Sequence, residues 1–225
     1  MAEATQTKTT IAIDPVTRIE GHLKAEVVVE NGKVVDAKLT GGMYRGFESI
    51  LRGRHPRDAA QIVQRICGVC PTAHAHAASI ALEKASGTAV PSNGRATRNL
   101  ILGANYLQSH ILHFYHLAGQ DFIQGPDTAP FMPRYAKPDL RLPPAINAVG
   151  VDQYVEALEV RAVCHEMVAL FGGRMPHVHG ILAGGAAEIP TKEKLVEYAA
   201  RFKKVRKFVE EKYLPVVYLV GSQYK

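Results

Sequence analysis

Two cysteines, Cys67 and Cys70, are separated only by Gly68 and Val69. Thiolates at this spacing can bind one metal ion from a single turn of chain. Gly68 lets the backbone bend closely around such an ion. Pro71 suits the first turn of a helix. A helix starting there points its positive end at the sulfurs and favours their charged form. Taken alone, the motif also reads as half of a structural zinc site, a thioredoxin-like redox pair, or chance. Zinc asks for four ligands, and no second CxxC or Cys/His pair at finger spacing follows. His74 and His76 are near in sequence. On a helix, however, His74 is equally suited to hydrogen-bonding a ligand from behind. A thioredoxin-like pair follows a strand, whereas a helical pattern precedes this one.

Periodicity predicts the elements that hold the pair. Residues 57–66 read as a helix running up to the cysteines, and a second helix runs from Pro71 to about residue 85. Residues 87–94 break the pattern. Residues 95–118 and 151–171 have helical period, and between them residues 125–144 form a proline-rich loop. Residues 172–190 are Gly-rich and irregular. Thr191 caps a further helix to about residue 212, with Lys194 where a capping box would place Glu. The last stretch, residues 216–225, is apolar and β-prone, and reads as chain that continues. There is no internal repeat.

Ahead of the helices lies a β-hairpin. Leu23, Ala25, Val27 and Val29 alternate on one face, and Val35, Ala37 and Leu39 alternate after Asn31-Gly32. A two-residue loop would pair Val27 with Asp36 and mix the faces. A three-residue loop, Asn31-Gly32-Lys33 with Gly32 left-handed, pairs Val29 with Val35 and Val27 with Ala37. Residues 1–10 are polar, carry no secretory signal and read as a loose terminus. Residues 41–56 form a loop or short helix. The expected fold is α+β: an N-terminal antiparallel hairpin or sheet (residues 11–45), then a mainly helical bundle (residues 46–225).

Composition narrows the function. A hydrophobic content of 47% excludes general disorder. Residues 100–117 are the best membrane-span candidate, but Asn105, Gln108, His110, His113 and His116 interrupt them. The net charge of +6 gathers in residues 192–212, which also hold Glu193, Glu197, Glu210 and Glu211. Glu197 and Arg201 are spaced as on a solvated helix face. With no interleaved aromatic platform or reading motif, nucleic acid is not a partner. Cys164 sits in a helical pattern with no partner cysteine at ligand spacing, and reads as a small buried hydrophobe. His110, His113 and His116 read as structural.

Beyond the cysteines, four motifs occur in a fixed order. They are Arg18-Ile19-Glu20-Gly21-His22, Arg45-Gly46-Phe47-Glu48, Gly53-Arg54-His55-Pro56-Arg57-Asp58-Ala59, and Arg65-Ile66-Cys67-Gly68-Val69-Cys70-Pro71 with His74. Together they resemble the large subunit of nickel–iron hydrogenases, across residues 11–225. Residues 65–74 and the Cys164-His165-Glu166-Met167 segment, through Gly173, most resemble the selenium-containing branch.

The resemblance implies reversible heterolytic cleavage of H2 to protons and electrons. Cys67 resembles a terminal nickel thiolate, and Cys70 the thiolate bridging nickel to an iron that carries carbon monoxide and cyanide. Soft thiolates suit such a centre. Glu20 resembles the carboxylate that passes protons away, which burial would equip by raising its proton affinity. Glu48 resembles a ligand of magnesium or a similar hard cation, and His74 a donor to a cysteine sulfur. His22 reads as structural. The Pro176-His177-Val178-His179 and Gly184-Gly185 stretches resemble a surface facing the electron-transfer subunit.

The family draws four cysteine-type nickel ligands from the two ends of its large subunit, and only the N-terminal pair is present here. The implied partners are therefore a chain or segment with the C-terminal ligand motif and a small subunit holding iron–sulfur clusters. The implied location is periplasmic or membrane-associated by co-export with that subunit, or else cytoplasmic. The other readings are a non-catalytic relative like that of respiratory complex I, a hydrogen-sensing homologue, or an inactive fragment. The complex I relatives lack the metal-binding cysteines, so Cys67 and Cys70 count against the first.

Overall fold

The computed structural model describes residues 8–134 and 139–225. The chain divides into two compact units between Gly46 and Phe47.

The first unit is a three-stranded antiparallel sheet, β1 (Lys8–Ile13), β2 (Leu23–Glu30) and β3 (Lys33–Gly41), with β2 in the centre. The expectation of a loose terminus fails for Lys8–Thr10. These residues open β1 and pair with Glu30, Val29 and Val28, since Thr9, Thr10 and Ile11 are β-branched and favour a strand. Residues 1–7 lie outside the described residues. The hairpin turn also differs from the expectation. Glu30 pairs with Lys33, so the loop has two residues, and Asn31 (φ 51°) and Gly32 (φ 76°) are both left-handed. That is the conformation Asn-Gly prefers. A bulge beside Val28 and Val29 then absorbs Val35, placing Val34 opposite Val29 and returning Val27 to Ala37. The predicted facing of Val27 is thus met by a bulge rather than by a longer loop. β1 and β3 are exposed along their whole length, and β2 is half-buried.

The second unit is helical. α1 (Phe47–Leu51) is followed by 3-10 turns at Pro56–Asp58 and Val63–Ile66 flanking α2 (Ala59–Ile62). α3 (Pro71–Ser86), α4 (Ser92–Leu112), α5 (Pro144–Gly172), α6 (Lys192–Phe208) and α7 (Leu214–Gln223) follow, with short β4 (Ile181–Leu182) and β5 (Gly185–Ala186) between α5 and α6. α4 starts three residues earlier than predicted and α5 seven, at Pro144, the first-turn position proline tolerates. α3 ends as expected on Gly87, whose φ of 66° closes the cap. Thr191 caps α6 by accepting from the Lys194 N–H at 3.3 Å. The apolar tail is a helix, not a strand. A π-helical turn at Val209–Tyr213 carries α6 into α7, which buries Val216 and Val220, one turn apart.

Helical spacing builds the core. Ile101, Ala104, Ile111 and Tyr115 on one side meet Ala157, Cys164, Met167, Val168 and Phe171 of α5, with Val205 and Phe208 of α6 and Val178 and Ile181 joining them. Each large apolar side chain buried here stabilises by roughly 1.5–3 kcal/mol. A smaller cluster of Ile123, Phe131, Leu142 and Val220 anchors the proline-rich loop. Asn147 secures it further, accepting from the Gln124 N–H at 2.9 Å and donating to the Leu142 carbonyl at 3.0 Å.

A buried ion pair locks the glycine-rich segment to α3 and α4. Arg98 is 3% exposed and Glu83 9%. Arg98 pairs with Glu83 and donates to the Leu182 carbonyl and, at 2.6 Å, to the Gly185 carbonyl. The Gly184 N–H donates to Glu83 at 2.8 Å. Neither charge is left without hydrogen bonds, the condition under which a buried pair is tolerated. Among the described residues no helix is long and apolar enough to cross a membrane.

Candidate metal centre

Cys67 ends the 3-10 turn in extended conformation (φ −146°, ψ 132°), and Cys70 is the N-cap of α3 with Pro71 next. The chain therefore wraps the pair around the start of a sixteen-residue helix, where the N-terminal dipole favours negative charge. The Cys70 N–H donates to Cys67 Sγ at 3.4 Å. Neither cysteine is in a disulfide, and both are partly accessible.

Buried polar side chains hold the segment on both sides. Gln64, fully buried, donates to the Ala60 carbonyl and to the Val178 carbonyl, both at 3.0 Å. It thereby fastens the approach to Cys67 onto the loop after α5. Gln108 of α4, also fully buried, donates to the Val69 carbonyl at 2.9 Å. Its Oε1 accepts from Arg161 Nε of α5 at 3.1 Å, and its Nε2 also donates to Ser109 Oγ at 2.8 Å. Sequence reasoning missed both glutamines. The signal for Gln108 was present: Ile101, Ala104, Asn105, Gln108, Ile111, Leu112 and Tyr115 form one continuous buried stripe. A polar residue in such a stripe needs a partner.

His74 lies one turn into α3, half-buried, and burial lowers its pKa, so the ring is neutral near pH 7. Glu48 stands exposed in the first turn of α1. Glu20 and His22 belong to the first unit and are exposed there, on either side of Gly21 (φ 86°). Cys164 is fully buried in the core, which pushes its thiol up to about 12. His116 is tied to the Tyr154 carbonyl at 3.1 Å, while His110 and His113 are exposed on α4 and the following turn.

Among the described residues no group of three or more His, Cys, Asp or Glu side chains could hold a metal ion. Cys67 and Cys70 supply two soft donors at one helix start, which fits half of a thiolate metal site. Comparison with known proteins gives that site its family. Residues 45–127 and 122–225 match the nickel-dependent hydrogenase model, and residues 10–40 match a HoxL-like model. The chain belongs to the nickel-dependent hydrogenase family.

It is 64% identical to the periplasmic [NiFeSe] hydrogenase large subunit of Desulfomicrobium baculatum, over 96% of this chain and 44% of that one. Hydrogenase-2 large chain of Escherichia coli is 35% identical, over 90% of this chain and 45% of that one. The Ni-Fe-Se hydrogenase structure from D. vulgaris Hildenborough, in the as-isolated oxidized state, superposes with a TM-score of 0.88 at 78% identity. That match covers 97% of this chain and 45% of that one. The chain thus spans less than half the length of these relatives.

Proposed function

We propose that this chain forms the N-terminal part of a nickel–iron hydrogenase large subunit of the selenium-containing branch, and serves in the reversible cleavage of H2 to protons and electrons. The β-rich residues 11–45 and the mainly helical residues 46–225 together make up that part. The observation that carries the reading is the Cys67–Cys70 pair, not joined in a disulfide, at the start of α3, inside a family match over the same residues.

Cys67 would hold nickel, and Cys70 would hold nickel and iron. A nickel–iron centre with carbon monoxide and cyanide on the iron supplies, when bound, a redox-active site that polarises H2. His74, neutral, can donate one ring N–H to a sulfur. Glu48 offers a hard oxygen to magnesium or a similar cation. Glu20 takes the proton onward. It is exposed on this chain, so in this role the rest of the complex would cover it. A segment with the C-terminal ligand motif completes the donor set, and iron–sulfur clusters in a small subunit carry the electrons. Location in the periplasm follows the D. baculatum relative.

The test is Glu20→Gln in the assembled complex. The amide keeps the shape but does not titrate. Nickel and iron content should stay normal, while hydrogen oxidation slows by at least about 100-fold, the value of a positioned acid–base group. Conversion between ortho and para hydrogen, which needs no net proton export, should suffer less. Unchanged turnover would remove Glu20 from the proton path. A wild-type complex without nickel would overturn the whole reading.

A further inference from the structure

The peptide unit joining Val69 to Cys70 is engaged at both ends. Its N–H donates to Cys67 Sγ at 3.4 Å, and its carbonyl accepts from Gln108 Nε2 at 2.9 Å. Gln108 in turn accepts from Arg161 Nε at 3.1 Å. A guanidinium can only donate and a carbonyl can only accept. Rotating the amide by half a turn would set oxygen against oxygen at Val69 and N–H against N–H at Arg161. The two neighbours therefore fix the direction of the amide. Its second hydrogen is also used, on Ser109 Oγ at 2.8 Å, so Gln108 is saturated inside a core that leaves it no exposure. The charge on Arg161 reaches its surroundings: after burial, it is what lowers the pKa of His165, and it lowers that of His116 too.

We propose that Arg161, Gln108 and the Val69–Cys70 peptide form a one-way hydrogen-bond relay that draws electron density from the Cys67 sulfur, with Gln108 and Arg161 as positioning residues of the metal centre. The inference rests on the reading of Cys67 as a nickel ligand. Hydrogen bonds in series polarise one another, more strongly where the dielectric is low. A cation at the far end aligns every dipole in the chain the same way, with the last N–H aimed at sulfur. Hydrogen bonds to a metal-bound sulfur weaken its donation and raise the reduction potential of the metal. The relay thus couples the packing of α4 against α5 to the redox poise of the centre.

The test uses the assembled holoenzyme, its nickel content, and the midpoint potential of nickel from a redox titration followed by electron paramagnetic resonance. Gln108→Met cuts the relay at the loop. Arg161→Met cuts it at the source and leaves the Gln108–Val69 hydrogen bond in place. With nickel content at the wild-type level, both variants should titrate at a more negative potential. The double variant should move no further than Gln108→Met, because both changes break one chain. Arg161→Lys keeps a cation donor and should restore most of the wild-type potential. If Gln108 only clamped the loop, Arg161→Met would titrate with the wild type, and that result overturns the relay. Should Arg161→Met fail to assemble, Arg161→Gln, which keeps a donor without the charge, is read the same way. A wild-type complex without nickel defeats the parent reading, whereas a nickel-loaded Arg161 variant at wild-type potential defeats the relay alone.

Discussion

Cys70→Ser should yield a complex with no nickel and no hydrogen turnover, and Cys67→Ser should lose turnover as well. A serine hydroxyl stays protonated at neutral pH and is a hard donor, so it cannot replace a soft thiolate on nickel. The loss should exceed the roughly 10–100-fold expected when only a supporting hydrogen bond behind a ligand is removed. Cys70 should be the more damaging position for assembly, because its proposed role joins both metals. The local fold should survive either change. The Cys70 side chain makes no capping hydrogen bond to the first turn of α3, and a serine oxygen at position 67 can still accept the Cys70 N–H. Circular dichroism should therefore match the wild type while elemental analysis finds the nickel gone. An assembled Cys70→Ser complex with full nickel and normal turnover would refute the assignment.

The second large effect is on stability. Arg98→Met should destabilise the helical unit by about 3–5 kcal/mol, the usual cost of stranding one member of a buried ion pair. It leaves Glu83 charged and buried, and it releases the Leu182 and Gly185 carbonyls together. Urea unfolding should show a lower midpoint at unchanged slope. Replacing both partners, as Glu83→Gln with Arg98→Met, should cost less than the two single changes added together. The pair also sets an acid limit. Its hydrogen bond from Arg98, with the Gly184 N–H adding to it, holds the Glu83 carboxyl below the ordinary carboxylate range. A group whose folded pKa is depressed stabilises above its unfolded pKa and loses that contribution as pH falls through the folded one. The stability gap between wild type and Glu83→Gln should therefore be widest near neutrality and shrink in acid. A gap that stayed constant with pH would remove Glu83 as its source.

Much of this architecture was legible in the sequence, for identifiable reasons. A helix with a proline at its start and a glycine at its stop was read nearly to the residue, as with Pro71–Ser86 and its Gly87 cap. Errors arose where tertiary context overruled local pattern. Val216–Val220 is β-prone by composition, but it continues a helix already under way and packs its i,i+4 pair inward. Lys8–Thr10 looks like a tail until a central strand offers it hydrogen bonds. In the hairpin the pairing of Val27 with Ala37 was right, but that of Val29 with Val35 and the longer loop were wrong, because a bulge can correct register as well as a longer turn can. At the candidate site the cysteines stood out by their spacing. The glutamines behind them did not, since their meaning lies in partners 39 residues away for Gln108 and 114 for Gln64.

The burial of Cys164 bears on oxidative damage. Three cysteines allow three pairings in an unfolded chain, two of which would tie one of the proposed metal ligands to Cys164. Folding removes both. With its thiol pushed up to about 12 and no surface exposed, Cys164 is neither a nucleophile nor a target at neutral pH. Among the thiols of the folded chain, peroxide or a disulfide reagent therefore meets only Cys67 and Cys70. Oxidised to each other, they form a product that a dithiol reductant reverses. The lipophilic core that gives α5 its grip on α6 thus also keeps the spare sulfur from competing for the two that matter.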